Sequence, residues 1–258
     1  MGLIRPGLVA SFVLELAFAA AVLTLIGRAR RGQPVPAIRR VVGLDAIDEA
    51  IGRATEMGAP VHFAPGIGAI DNAQTLAALS ILSHVARMCA KYDTRLIQTN
   101  RNNVVYSIAE ETIKQAYVDA GKPAAFNPDD VRFISEDQFG YASGCIGIMA
   151  REKVRANILV GAFWAESLIF AEVGAQVGSI QIAGTANTHQ IPFFIAACDY
   201  ALLGEEIYAA SAYLSREPIL VGCLIGQDWA KMIGVLLILA GAVLATFGND
   251  DLGRLLNQ

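Results

Sequence analysis

The stretch VHFAPGIGAIDNAQTLAALSILSHVARMCAK, residues 61–91, decides the fold. Its opening residues, 61–64, form a short apolar run broken only by His62, and Pro65 with Gly66 then turns the chain. From Asp71, placed to cap a helix, apolar residues recur at helical spacing as far as Lys91. A strand, a glycine turn and a helix make the first part of a βαβ unit, the building block of a parallel sheet.

The pattern repeats downstream. Residues 95–99 read as a second strand, followed by a helix over 103–120 that Gly121 and Pro123 stop. Residues 131–134 are a third strand, and Ser135 with Gln138 three positions later forms a capping box for a helix ending near Lys153. Strands at 158–160, 180–183 and 200–203 follow, each with a helix behind it, at 164–177, 191–198 and 205–214. Gly178 is placed to terminate the first of these helices. Upstream, Leu44, Ile47, Ile51, Ala54 and Met57 repeat at helical spacing among charged residues, an amphipathic helix. The expected class is therefore α/β: a Rossmann-like three-layer sandwich with a mostly parallel sheet. No fixed-period repeat is present, which excludes a solenoid.

Composition places this domain at a membrane. The chain has 258 residues, 54% hydrophobic and 17% charged, with a net charge of −4. Its mean hydropathy is +0.45. Soluble domains carry about a quarter charged residues, and nucleic-acid proteins carry basic patches, so nucleic acid is not expected as a partner. The apolar excess concentrates at the ends, over residues 7–26 and 229–248, each long enough at about 1.5 Å per residue to cross a hydrocarbon core. One transmembrane helix is thus expected on each side of the α/β domain. Arg28, Arg30, Arg31, Arg39 and Arg40 follow the first span, and Asn249, Asp250 and Asp251 follow the second. Basic flanks resist translocation, which predicts a two-pass protein of the cell membrane with a cytoplasmic middle and both termini outside. A secretory signal is the rival reading of the first span. The cluster GRARRG, directly after it at 27–32, replaces the small uncharged residues that a cleavage site requires. The expected organisation is a tail and first span over 1–26, a basic linker containing GQPVP and the amphipathic helix over 27–58, and the α/β domain over 59–228. The second span over 229–248 and a tail over 249–258 complete it. Cys89, Cys145, Cys198 and Cys223 lie far apart without zinc spacing, as buried thiols of a reducing compartment do.

In an open parallel sheet, ligands bind beyond the carboxyl ends of the strands. The residues expected there as ligand contacts are Gly66, Gly68 and Asp71, then Asn100, Ser135, Thr185, Thr188 and Gln190. The GIGAID turn at 66–71, between a strand and a helix, offers backbone amides to a small anion. It matches the dinucleotide fingerprint only in part, because Asp71 stands where the third glycine belongs and Gln98, Thr99 and Asn100 provide no ribose-binding acid. A tight turn is the simpler account of these glycines. His189 and Glu166 are the candidates for proton transfer, with a helix-start cap and a helix-dipole contact as their plainer roles. His62 and His84 read as structural. Carboxylates at Asp71, Glu166, Glu205 and Glu206 have no spacing that enforces metal binding, and no metal is expected. Glu15, within the first span, needs a protein contact in the membrane, and Gly241 with Ala245 forms a small-xxx-small pair in the second.

The phrases VHFAPGIGAIDNAQTLAALSIL, at 61–82, and IQIAGTANTHQIPFFIAACDYALLGEEIYAASAYLSREPILVG, at 180–222, resemble an uncharacterised prokaryotic family of membrane-anchored proteins, a domain of unknown function. The likeness covers roughly residues 59–234. It implies a Rossmann-like cytoplasmic domain bracketed by membrane spans and brings no activity, cofactor or catalytic residue. Two expectations follow from the residues. The first is a homo-oligomeric, membrane-anchored assembly or ligand-sensing module. The second is an enzyme acting on a nucleotide or a small phosphorylated or acyl substrate at the strand ends. The cofactor stays unassigned, and the expected partners are the lipid bilayer, further copies of the chain and a small anionic ligand.

Overall fold

The structure is a computed structural model that describes residues 9–32, 42–215 and 217–246. The GQPVP linker beyond Gly32, Arg39, Arg40 and the tail at 249–258 lie outside the described residues. The chain divides into two compact units, residues 39–215 and the paired segments 1–38 and 216–258.

The larger unit opens with α2 (Val42–Glu56), since α1 (Val9–Arg30) belongs to the other unit. Then come β1 (Val61–Gly66), α3 (Ala73–Lys91), β2 (Leu96–Asn100), α4 (Asn103–Asp119), β3 (Val131–Phe133) and α5 (Gln138–Glu152). The second half holds β4 (Ala156–Ala162), α6 (Glu166–Gln176), β5 (Ile180–Thr185), α7 (Ile191–Ala197), β6 (Tyr200–Leu203) and α8 (Glu206–Ser215). All strand pairs are parallel, in the order β3-β2-β1-β4-β5-β6. This is the doubly wound order, with its reversal point between β1 and β4. Helices α2, α3, α4 and α8 pack together over one face of the sheet, and α5, α6 and α7 pack together on the other. Such a split is what right-handed crossovers running outward in both directions from β1 produce. Every residue of β1, β2 and β4 is buried, as strands covered on both faces must be.

Several boundaries differ from the sequence expectation, each for a local reason. β1 runs on through Pro65 to Gly66, because a register shift between Ala64 and Gly66 in its pairing with β4 accommodates a residue without an N–H. β4 spans Ala156–Ala162, two residues further at each end than the run at 158–160, since Asn157 and the flanking alanines carry no strand signal. Asn72, not Asp71, caps α3, accepting from the Gln74 N–H at 2.8 Å. Asp137 caps α5 by accepting from Gly140 N–H at 2.7 Å, and Ser135 Oγ accepts from Asp137 N–H at 3.1 Å, so no capping box forms. The amphipathic helix α2 is part of the sandwich, with Ile47, Ala50, Ile51 and Ala54 fully buried over β4, β5 and β6. Its apolar stripe needs the sheet to cover it.

A row of buried polar side chains crosses the sheet face beneath α5, α6 and α7. Cys145 Sγ–H donates to Thr99 Oγ1 at 3.3 Å, and the Thr99 hydroxyl meets His62 Nε2 at 3.0 Å. His62 Nδ1 meets Asn157 Oδ1 at 2.8 Å, and Asn157 Nδ2 donates to Gln181 Oε1 at 3.1 Å. Gln181 Nε2 ends the row on the carbonyls of Ala171 at 2.7 Å and Ala197 at 3.1 Å. Every group finds a partner only if His62 carries its proton on Nδ1 and donates to Asn157, while Thr99 donates to Nε2. Burial pushes the His62 pKa down to about 4, so the ring is neutral. His84 is structural too, joining α3 to α2 through Asp48 Oδ1 at 2.8 Å.

The smaller unit pairs α1 (Val9–Arg30) with α9 (Pro218–Thr246). Both are long and apolar enough to cross a membrane. α9 runs unbroken from Pro218, and the larger unit spans residues 39–215. The helices run antiparallel, with Gly222 against Ile26 and Gly226 against Val22. A Cβ on Gly222 would stand 2.8 Å from Ile26 Cα, and one on Gly226 would stand 2.7 Å from Val22 Cγ2. This G-x-x-x-G pair brings the two backbones together at a point the sequence reading, centred on Gly241 and Ala245, passed over. Gly222→Val is expected to lower stability in detergent by about 2 kcal/mol in thermal unfolding. Gly27→Val, whose Cβ position is open, is the control and should cost less than about 0.5 kcal/mol.

Candidate functional site

The carboxyl edge of the sheet gathers the loops after β1, β4 and β5, which close on one another. At the reversal point Gly66 has φ +78° and Gly161 φ +146°, and the backbones of β1 and β4 meet directly. Ile67 N–H donates to Ala162 O at 2.8 Å. A Cβ on Gly66 would overlap the Ala162 carbonyl, and one on Gly161 would overlap that of Pro65. β1 and β4 thus stay paired as far as the sheet edge at the point where the strand order reverses.

Side chains fasten the rest of the edge. Gln74, in the first turn of α3, reaches the loop after β5, where its Oε1 accepts from Ala186 N–H at 2.7 Å and Thr185 Oγ1 at 3.1 Å. Asn187 Nδ2 donates to Phe163 O at 3.0 Å, and Ser167 Oγ donates to Gln190 Oε1 at 2.6 Å. Glu166 is fully buried. Its Oε1 accepts from Trp164 N–H at 2.9 Å and its Oε2 from Gln138 Nε2 at 2.5 Å, which ties the starts of α5 and α6 together.

Of the residues read from sequence as ligand contacts, Thr185 and Gln190 are therefore occupied by structural bonds. Asn100 is buried in a reciprocal amide pair with Gln98, at 2.8 and 2.5 Å. Ser135 holds the start of α5, while Asp71, Thr188 and His189 are exposed. Gly66 ends β1 at the reversal point, and Gly68 lies in the loop after it. His189 N–H donates to Asn187 Oδ1 at 3.4 Å, and no hydrogen bond links His189 to Glu166 among the described residues. The two candidates for proton transfer are not assembled into an acid–base pair. No group of three or more His, Cys, Asp or Glu that could hold a metal occurs among the described residues.

A family model described as a domain of unknown function, DUF6754, matches residues 3–256. The chain belongs to this family. No curated protein and no solved structure matches it.

The family match spans both units, so the helix pair and the sandwich are parts of one family pattern. Two features of the edge escaped the sequence reading. One is a pair of buried polar atoms without partners among the described residues, Thr75 Oγ1 and Arg101 Nε, from residues that both approach the loop after β1. Arg101 directly follows β2, a signal that was legible as the one cation among the strand-end residues of that half. The other is a ring of exposed apolar side chains around the same edge: Leu76, Val104, Phe139, Trp164, Leu168 and Phe193. Each lies in, or just before, the first turn of a helix that follows a strand, and Phe139 is 61% and Trp164 53% exposed. Two cavities lie at the opposite end of the strands. One of about 130 Å³ is lined by Cys89, Arg95, Tyr117, Phe126 and Asp130. One of about 250 Å³ is lined by Glu49, Arg53, Ile180, Asp199 and Tyr200.

Proposed function

We propose that the chain is a membrane-anchored assembly module whose copies associate through the carboxyl edge of the sheet. The ring of exposed aromatic and aliphatic side chains on that edge carries this reading. Exposed apolar patches of this kind, rich in Phe and Trp, mark association surfaces. Enzymatic chemistry at the same edge is disfavoured by Glu166, whose two oxygens are taken by Trp164 and Gln138. Helices α1 and α9 cross the bilayer, with residues 39–215 on the cytoplasmic face and both termini outside, as the arginines after α1 direct. Glu15, exposed on α1, meets another copy within the membrane, since a carboxylate facing lipid is costly.

The test is a native mass spectrum of the full-length protein released from detergent. Wild-type protein is expected as a closed multiple of 27.4 kDa. Paired substitution Phe139→Asp with Trp164→Asp is expected to return it to the monomer mass while circular dichroism stays unchanged. A monomeric wild type, or an assembly indifferent to both substitutions, overturns the reading.

A further inference from the structure

Thr75 Oγ1 and Arg101 Nε are the buried side-chain polar atoms that lack a hydrogen-bond partner among the described residues. They come from different elements, the first turn of α3 and the residue after β2, yet both converge on one loop. Thr75 is fully buried, and its hydroxyl lies so close against Gly68 that a Cβ there would overlap it. Arg101 donates from Nη1 to Ile67 O, the adjacent residue of that loop, at 3.2 Å. Among the described residues this carbonyl is its hydrogen-bond partner and no carboxylate pairs with it. A guanidinium cannot shed its charge, and buried polar groups without partners are rare enough to demand an explanation.

We propose that Arg101, Thr75 and the loop at 66–71 form a binding site for one phosphate group, free or carried by a nucleotide. The proposal is independent of the assembly reading. Nε–H and a terminal N–H of a guanidinium match two oxygens of a phosphate, and the Thr75 hydroxyl provides a donor to a third. The site sits at the N-terminus of α3, a 19-residue helix whose dipole favours an anion there. Gly68 puts no side chain between the hydroxyl and the loop backbone. Asp71 on the same loop is exposed and stays in solvent.

The experiment is isothermal titration of the full-length protein in detergent with inorganic phosphate and, separately, with adenosine monophosphate, at constant ionic strength. Saturable binding is expected, weakened at least about tenfold by Arg101→Gln and by Thr75→Val, the loss expected for one charge-assisted hydrogen bond. Thr75→Val removes a hydroxyl that has no partner, so its thermal midpoint should not fall, which separates loss of the site from loss of the fold. Binding of the nucleotide about tenfold tighter than phosphate assigns the group to a nucleotide, and equal affinities assign it to free phosphate. Absence of saturable binding to both probes overturns the proposal, as does binding that the two variants leave unchanged.

Discussion

Gly161→Val is expected to destabilise the protein by about 4 kcal/mol or more, a large share of the about 5–15 kcal/mol that holds a single domain folded. Gly161 has φ +146°, a conformation closed to β-branched residues. A Cβ there would also run into the backbone of Pro65, standing 2.7 Å from its carbonyl carbon. Backbone in a central strand cannot yield, because β1 and β4 form the middle of the six-stranded sheet and both their faces are covered. Gly121→Ala provides the comparison. Its φ is +73°, but nothing lies within 4 Å of the added carbon, so only the conformational term of about 1 kcal/mol applies. Denaturant unfolding in detergent measures both. A Gly161→Val midpoint close to that of Gly121→Ala would show that the two strands do not meet as closely as described.

Acid is expected to weaken the sandwich through His62. The ring has an ordinary pKa of 6.5 and is lowered to about 4 in the folded protein, chiefly by burial. Both states are neutral above 6.5, so the group has no effect there. As the pH falls below 6.5 the unfolded chain takes up a proton that the folded one refuses, and stability drops until the folded ring also titrates near pH 4. The loss reaches about 3 kcal/mol across that window, from about 1.4 kcal/mol per pH unit. A protonated Nε2 would also face Thr99 with two donors in opposition, breaking the row to Gln181. Unfolding free energies of wild type and His62→Gln, measured from pH 7 downwards, isolate this contribution, because every other titratable group is present in both. Parallel curves for the two proteins would remove His62 from the account.

Which parts of this structure were legible depends on how far apart the interacting residues lie. The strand and helix succession could be read because its signals are local: apolar runs at β1, β2 and β5, and Gly121 and Gly178 beyond helix ends. Where a signal depends on distant packing it failed. Asn157 looks too polar for a strand interior until His62 and Gln181, 95 and 24 residues away in sequence, are seen to satisfy it. The start of α9 at Pro218, ahead of the apolar span at 229–248, goes with Gly222 and Gly226 lying against α1. At the candidate edge, position in the chain points to the loops after strands but could not say which side chains are already taken. Thr185 is spent on Gln74, 111 residues away, and Glu166 on Gln138, 28 away. Arg101 is visible in the sequence as a cation directly after β2, but that it and Thr75 hold polar atoms without partners is a property of the assembled neighbourhood.

Periodicity, glycine placement and the two apolar segments by themselves determined an α/β class with parallel strands and two helices long enough for a bilayer. These follow from backbone geometry and from water's rejection of apolar surface, which act residue by residue. The strand order, the pairing of β1 and β4 at the reversal point, the saturation of Glu166 and the exposure of the apolar ring were decided only by the tertiary structure. Each depends on which groups meet after distant segments pack, and hydrogen bonding and burial are settled at that step.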